Sequence, residues 1–370
     1  MAVKWLPKIS IITPTFNSEK HLEETIKSVL NQDYSNIEYI IIDGGSNDRT
    51  LSIIAKYRQR ISYFISEPDK GIYDAFNKGL RVATGDIIYF LNSDDYLYES
   101  NVIGELAEIF SSRPNLAFVY GNALVLDEKI GFKYIRGRAM SFQDLKTGEM
   151  PPHMGFFARK SLFEKHGYFD TQYVIGGDYD FVVKCFQSDE QNSLYVDRTI
   201  AVFRCGGIST DPTKQQLMSQ EQSAIIAKYF GIQPEISAVS EINGYYRTWL
   251  ECLLLQSKGI SSVLHQNGIK KVAIFGTMKT ALYLLADLKQ EKIKVVSFLD
   301  NNPNMQNQNL FGIPVNPSKW IAQNIDKIDA ILISIENNRD SIVIEQFREM
   351  VKNSPVQVYS WKDLIKISLA

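Results

Sequence analysis

Before residue 92 the chain alternates apolar runs, polar turns and amphipathic helices. Lys8 to Thr13 reads as a buried strand, followed by the loop Pro14-Thr15-Phe16-Asn17-Ser18. A helix is expected from about Glu19 to Asn31, where Leu22, Ile26, Val29 and Leu30 fall on one face. Ile37 to Ile42 is almost continuously apolar, as a strand covered on both faces should be. Gly44-Gly45-Ser46-Asn47-Asp48 breaks it, and a helix follows to about Tyr57. A third strand, Ile61 to Ile65, leads through Glu67-Pro68-Asp69-Lys70-Gly71 into a helix from Ile72 to Val82. A fourth strand, Asp86 to Leu91, ends at Asn92-Ser93-Asp94-Asp95. This order dictates an α/β fold around a largely parallel sheet, and ligands of such sheets bind outside the carboxyl ends of the strands. Asp43, Asp69, Asp94 and Asp95 all fall at that edge. Hard oxygen ligands there suit a divalent cation that also holds phosphates.

After Asp95 the pattern changes to shorter strands, around Leu116 to Tyr120, Leu124 and Phe132, with short helices at Ser161 to His166 and Asp178 to Phe186. Residues from about Lys214 to Gly259 are helical in character. A fresh α/β unit starts at Gly268: strand Lys270 to Phe275, a turn at Gly276, a helix, and strand Val295 to Leu299 ending at Asp300. Ala330 to Ile335 and Val356 to Tyr359 supply further strands. The expected division is a first domain at 1–213, a helical connector at 214–260 and a smaller Rossmann-like domain at 261–370.

A chain of 370 residues exceeds one typical core, so more than one domain is expected in any case. Its 40 basic and 42 acidic residues leave a formal charge of -2, which argues against a nucleic-acid binder. Cys185, Cys205 and Cys252 lie far apart in no ligand-like spacing, so no zinc site is expected and a reducing, cytoplasmic compartment is. No run approaches the ~18 apolar residues that span a bilayer. Peripheral association with the inner face of a membrane and homo-oligomerisation stay open.

Four segments, Ser10-Ile11-Ile12-Thr13-Pro14-Thr15-Phe16-Asn17, Ile42-Asp43-Gly44-Gly45-Ser46-Asn47-Asp48-Arg49-Thr50, Gly71-Ile72-Tyr73-Asp74-Ala75-Phe76-Asn77-Lys78-Gly79 and Leu91-Asn92-Ser93-Asp94-Asp95, together resemble the family 2 inverting glycosyltransferases of GT-A fold. They stand in that family's order, and the resemblance covers about the first 210 residues. It implies that the chain binds a nucleotide-diphospho-sugar, with UDP the expected nucleotide, and moves its sugar to a hydroxyl of a glycan or lipid-linked acceptor in bacterial surface polysaccharide synthesis. By the same resemblance Pro14 and Thr15 meet the base or ribose and Asp43 accepts from a base N–H, although a turn or helix-cap role suits Asp43 as well. Asp69 and Asp74 fall near the donor, with Lys78 either a solvated charge or a phosphate contact. Asn92 stands where many members carry another Asp and can still hold a ribose hydroxyl. Asp94 and Asp95 would repel a diphosphate alone, and a bridging Mn²⁺ or Mg²⁺ resolves that conflict.

The resemblance also places an acidic residue at the opening of a helix, often after a Glu. Here Gly177 takes the place of that Glu and Asp178 is the candidate base, with Asp180 as the fallback. An ordinary carboxylate cannot ionise a sugar alcohol beforehand, but it can take the proton as the new C–O bond forms. Asp178 equally suits the cap of its helix. His153, within Met150-Pro151-Pro152-His153-Met154, is a candidate acceptor, phosphate or metal contact, or a structural His, and Arg204 a candidate phosphate contact. Two rival readings stand beside this one: a catalytically decayed nucleotide-sugar-binding or assembly protein, favoured by Gly177 and Asn92, and an oxidoreductase or sugar-modifying unit in the C-terminal part, fused to a transferase. Against the second, Met278 fills a position that a dinucleotide fold keeps as glycine.

Overall fold

The computed structural model describes residues 6–128, 132–232, 237–255, 258–336 and 340–368. The chain divides into two compact units between residues 234 and 235.

The first unit opens with β1 (Ile9–Thr15), α1 (Leu22–Leu30), β2 (Ile37–Asp43), α2 (Thr50–Tyr57), β3 (Tyr63–Ser66), α3 (Ile72–Val82) and β4 (Ile87–Phe90). The elements that follow are β5 (Tyr96–Leu97), α4 (Val102–Ser112), β6 (Phe118–Asp127), β7 (Phe132–Arg136), α5 (Phe142–Leu145), β8 (Phe156–Arg159), α6 (Lys160–His166), α7 (Gly177–Asp189), β9 (Ser193–Arg204) and α8 (Gln215–Phe230). One sheet runs in the order β3-β2-β1-β4-β8-β6-β9-β5, and β7 pairs with β6. Strands β1 to β4 are parallel neighbours. β8 then runs antiparallel to both β4 and β6.

Strand alternation assigns the two faces of this sheet. Ile9, Ile11, Tyr39 and Ile41 pack with Leu22 and Ile26 of α1 and with Ile53 and Ile54 of α2. Ile12, Ile40 and Ile42 pack on the other face with Tyr73, Phe76 and Leu80 of α3. α3 lies directly on β1, because a Cβ at Gly79 would overlap the Ile12 side chain. The register pairs Thr15 with Asp43 and Ile12 with Phe90, so the polar turns after β1, β2 and β4 converge at one sheet edge.

The expected β-α order of this half stands, with ends displaced by a few residues. The sequence did not announce β8 or β9 as strands. β9 carries Asp197 and Arg198 inside its apolar run, and its pairing with β6 shifts register on either side of Asn122. The stretch read as a connector is split between the units: α8 belongs to the first, and α9 (Ser237–Leu255) to the second.

The second unit continues with α10 (Ile260–Gln266), β10 (Lys271–Phe275), α11 (Lys279–Leu288), β11 (Lys294–Leu299), β12 (Asn309–Leu310), β13 (Ile313–Asn316), β14 (Ala330–Ile333), α12 (Asp340–Val351), β15 (Gln357–Ser360) and α13 (Trp361–Ser368). Its sheet order is β12-β13-β11-β10-β14-β15, parallel except for β12. This is the smaller α/β sheet expected. At its central turn the Asp300 carboxylate is already taken, by Thr277 Oγ1 at 2.6 Å and Asn302 N at 2.9 Å. None of the described helices is long and apolar enough to cross a membrane.

Candidate functional site

The convergent turns of the first unit enclose a cleft of about 540 Å³, within the range of small-molecule sites. Pro14 and Thr15 at the end of β1, with Phe16, Asn17 and Ser18 after it, form one wall. Asn92, Ser93 and Asp94, after β4, form the next, and Asp69, Gly71 and Ile72 lead into α3. Phe203 and the segment from Gly206 to Ser209 close the remaining side. A bond of 2.8 Å between the Ser18 and Ser93 hydroxyls ties the first two walls together. Thr15 Oγ1 and Asn92 Oδ1 are buried and find no partner among the described residues. Buried polar groups are almost always paired, so two orphans on one cleft mark it as built for a polar ligand.

Asp94 and Asp95 part company. Asp94 lines the cleft, whereas Asp95 is fully buried behind it. Asp95 Oδ1 accepts from Arg204 N at 3.0 Å, and its Oδ2 has no partner among the described residues. Burial, reinforced by the neighbouring Asp94, pushes the Asp95 carboxyl well above the usual range. Burial raises Asp94 too, against the pull of His21 and Arg204. Among the described residues no three His, Cys, Asp or Glu side chains are grouped to hold a metal. One cleft carboxylate and the Asn92 oxygen still fit a hard cation that takes its other ligands from phosphate, as Mg²⁺ commonly does.

Several expected contacts go elsewhere. Asp43 is fully buried, and its carboxylate accepts from Gly45 N, Ser46 N, Ser46 Oγ and Ser66 Oγ, so it organises the turn after β2 instead of facing the cleft. Asp69 reaches the cleft while accepting from Gly71 N at 2.9 Å. Asp74 does not line the cleft: it accepts from Lys70 N and pairs with Lys78 one helical turn on. Arg204 is spent on protein groups, because its guanidinium holds Glu24, Glu128 and the Asp94 carbonyl and lies over the Tyr96 ring. It frames the Asp94-Asp95 turn instead of reaching a phosphate. Asp180 is buried and bound by Lys184, Lys228 and Tyr229, a cross-link between α7 and α8 that removes it as an alternative base.

A second cavity, of about 250 Å³, adjoins the first, sharing Phe203 and Ser209. Asp178 and His153 line it with a largely apolar surround that includes Met150, Pro151, Pro152 and Met218. Asp178 sits in the first turn of α7, where its Oδ1 accepts from Tyr179 N at 2.9 Å and lies 3.2 Å from Tyr73 Oη. The missing acidic neighbour has a steric reason. A Cβ at Gly177 would lie 2.8 Å from the Tyr73 ring, so Tyr73 occupies the room a longer side chain would need. Tyr73 Oη also donates to the Ile175 carbonyl.

Sequence reasoning missed Glu221. This buried side chain of α8 accepts from three consecutive backbone amides, Val174 N at 2.7 Å, Ile175 N at 2.9 Å and Gly176 N at 2.7 Å. It thereby fixes the loop that delivers Asp178. Nothing local to Glu221 announces this, since its partners lie some 45 to 47 positions earlier. Lys20 and His21 on the cleft wall, and Phe203 and Ser209 between the cavities, were also missed.

Comparison with known proteins gives the following. The family model described as Glycosyl transferase family 2 matches residues 10–171, and one described as C2185-like, N-terminal, matches residues 268–355. An uncharacterized glycosyltransferase of Mycobacterium tuberculosis is 34% identical over 181 residues, which cover 48% of this chain and 68% of that protein. A PGL/p-HBAD biosynthesis glycosyltransferase of Mycobacterium bovis is 28% identical over 218 residues, 58% of this chain and 84% of the relative. Among solved structures, Staphylococcus aureus TarS 1-349 in complex with UDP is 19% identical with a TM-score of 0.47, over 69% of this chain and 74% of that one.

Proposed function

The chain belongs to glycosyltransferase family 2, and we propose that it moves a sugar from a UDP-linked donor to an acceptor hydroxyl with inversion at the anomeric carbon. The observation that carries this reading is the pair of adjoining cavities: one has orphaned polar atoms at Thr15 and Asn92 beside Asp94, the other has Asp178. The nucleotide diphosphate takes the first cavity and the acceptor hydroxyl the second, meeting near Phe203 and Ser209.

Thr15 orients base or ribose through its unpartnered hydroxyl oxygen. Asp94, with Asn92 on the same wall, would hold Mn²⁺ or Mg²⁺ jointly with the diphosphate. Such a cation neutralises negative charge on the departing nucleotide. In the transfer itself the acceptor oxygen attacks the anomeric carbon from the face opposite the nucleotide, and the bond from that carbon to the phosphate oxygen breaks. The acceptor's proton passes to Asp178 as the C–O bond forms. The single displacement inverts the centre and needs no protein nucleophile. A glycan or lipid-linked acceptor of surface-glycan synthesis suits the apolar walls around Asp178, and the relative named for PGL/p-HBAD biosynthesis supports it.

Calorimetric titration with UDP and GDP, each with and without Mn²⁺, tests the donor half. Tight UDP binding that requires Mn²⁺ is the expected result. A preference for GDP would change the donor, and binding of neither nucleotide would overturn the reading in favour of a decayed assembly protein. Nuclear magnetic resonance of the first-formed product tests inversion.

A further inference from the structure

We propose that His153 is a positioning residue for Asp178: its ring locks the free edge of that carboxylate, and the fold keeps it there in spite of an unsatisfied nitrogen. The inference rests on the assignment of Asp178 as the base. His153 opens a single 3-10 turn before β8, and its ring stacks on Phe76 with centroids 5.4 Å apart and 11° between planes. Phe90 lies on it at 6.1 Å. Nδ1 faces Asp178 Oδ2 at 3.6 Å, while Nε2 is buried with no partner among the described residues.

The two edges of Asp178 are therefore held differently. Oδ1 accepts from Tyr179 N and has Tyr73 Oη beside it at 3.2 Å, which leaves Oδ2 as the edge able to take a proton. The group facing Oδ2 is His153 Nδ1. Burial pushes the imidazole toward its neutral form, against the opposing pull of Asp178. A neutral ring carries one N–H, and the carboxylate draws it to Nδ1. Nε2 is then a bare lone pair, which is how an orphan arises there. The spacing of 3.6 Å is longer than a hydrogen bond, as catalytic contacts often are before substrate binds.

A side chain kept for stability would not leave a buried nitrogen unpaired, because such groups destabilise a fold. His153→Leu, close in volume and free of the orphan, should melt no lower than the wild type. Its hydrolysis of UDP-glucose, or of GDP-mannose if GDP is the nucleotide bound, should fall at least tenfold in kcat with KM little changed. His153→Asn keeps a donor facing Asp178 and should recover much of that loss. The four histidines make a ¹⁵N-histidine spectrum tractable, with His153 assigned by its disappearance in His153→Leu. The expected signature is a neutral ring protonated on Nδ1 in the wild type, reverting to the Nε2 tautomer in Asp178→Ala. An Nε2–H tautomer in the wild type, or wild-type kcat in His153→Leu, would overturn the proposal. Wild-type turnover by Asp178→Asn, with the Nδ1 tautomer intact, would instead bring down the assignment of the base.

Discussion

Replacing Glu221 by alanine should unseat the helix that carries Asp178 without touching the cleft at the sheet edge. The carboxylate accepts three amides in a row, and the last of them, Gly176, is the cap of α7 and lies two residues before Asp178. Each donor left unsatisfied costs about 1–3 kcal/mol, and water entering the vacated space recovers part of it. Taking the low end for three donors gives about 3 kcal/mol. At roughly 2–4 °C per kcal/mol for a unit of this size, the first-unit transition should fall by about 6–12 °C. Glu221→Gln keeps one acceptor oxygen and turns an amide N–H toward the remaining donor, so about half that loss is expected. Scanning calorimetry measures the transition, and UDP titration with Mn²⁺ measures the cleft. Donor turnover should fall in both variants while UDP affinity holds. A Glu221→Ala protein melting within about 2 °C of the wild type would refute the argument, since the three amides would then have found other partners at no loss.

Asp178→Asn should fold normally and bind nucleotide as before, with turnover reduced by about 10²–10⁴-fold in a donor-consumption assay. Restoring an acidic neighbour through Gly177→Glu should lower activity, and even Gly177→Ala should destabilise by about 1–3 kcal/mol through contact with the Tyr73 ring. A double-mutant cycle with Tyr73→Leu should show most of that strain relieved. Asp94→Asn should abolish the Mn²⁺ dependence of nucleotide binding, read by titration. Glu38 gives a pH signature: burial alone would raise its carboxyl, but hydrogen bonds from Lys8, Ser10 and Thr84 outweigh that and hold it at about 2. A depressed carboxyl stabilises the fold above its unfolded value of 4.5 and loses that contribution as pH falls toward 2. The contribution is on the order of 3 kcal/mol. Wild type and Glu38→Gln melting curves should therefore converge across that window.

What the sequence determined by itself is the framework and the edge where chemistry occurs. The order of apolar runs and amphipathic helices specifies the parallel half of the sheet, because hydrophobic periodicity is a local signal of burial. The acidic and glycine-rich turns then fall at strand ends for reasons of connectivity alone. The short motifs identified the family, and they located Asp94 and Asp178 on cavity walls. Only the tertiary structure decided which polar groups are spent inside the protein and which are left for a ligand. Asp43, Asp180 and Arg204 look like site residues in one dimension, yet each is saturated by partners, among them Ser66, Lys228 and Glu24 on other elements. Asp95 and Asp94 are neighbours in the chain, but a strand end points them to opposite environments. Glu221 holds Gly176 across 45 residues, and Tyr73 meets Asp178 across 105. A hydrogen bond consumes a donor or acceptor wherever its partner originates in the chain, so the free valences that make a site emerge only after every long-range pairing is fixed.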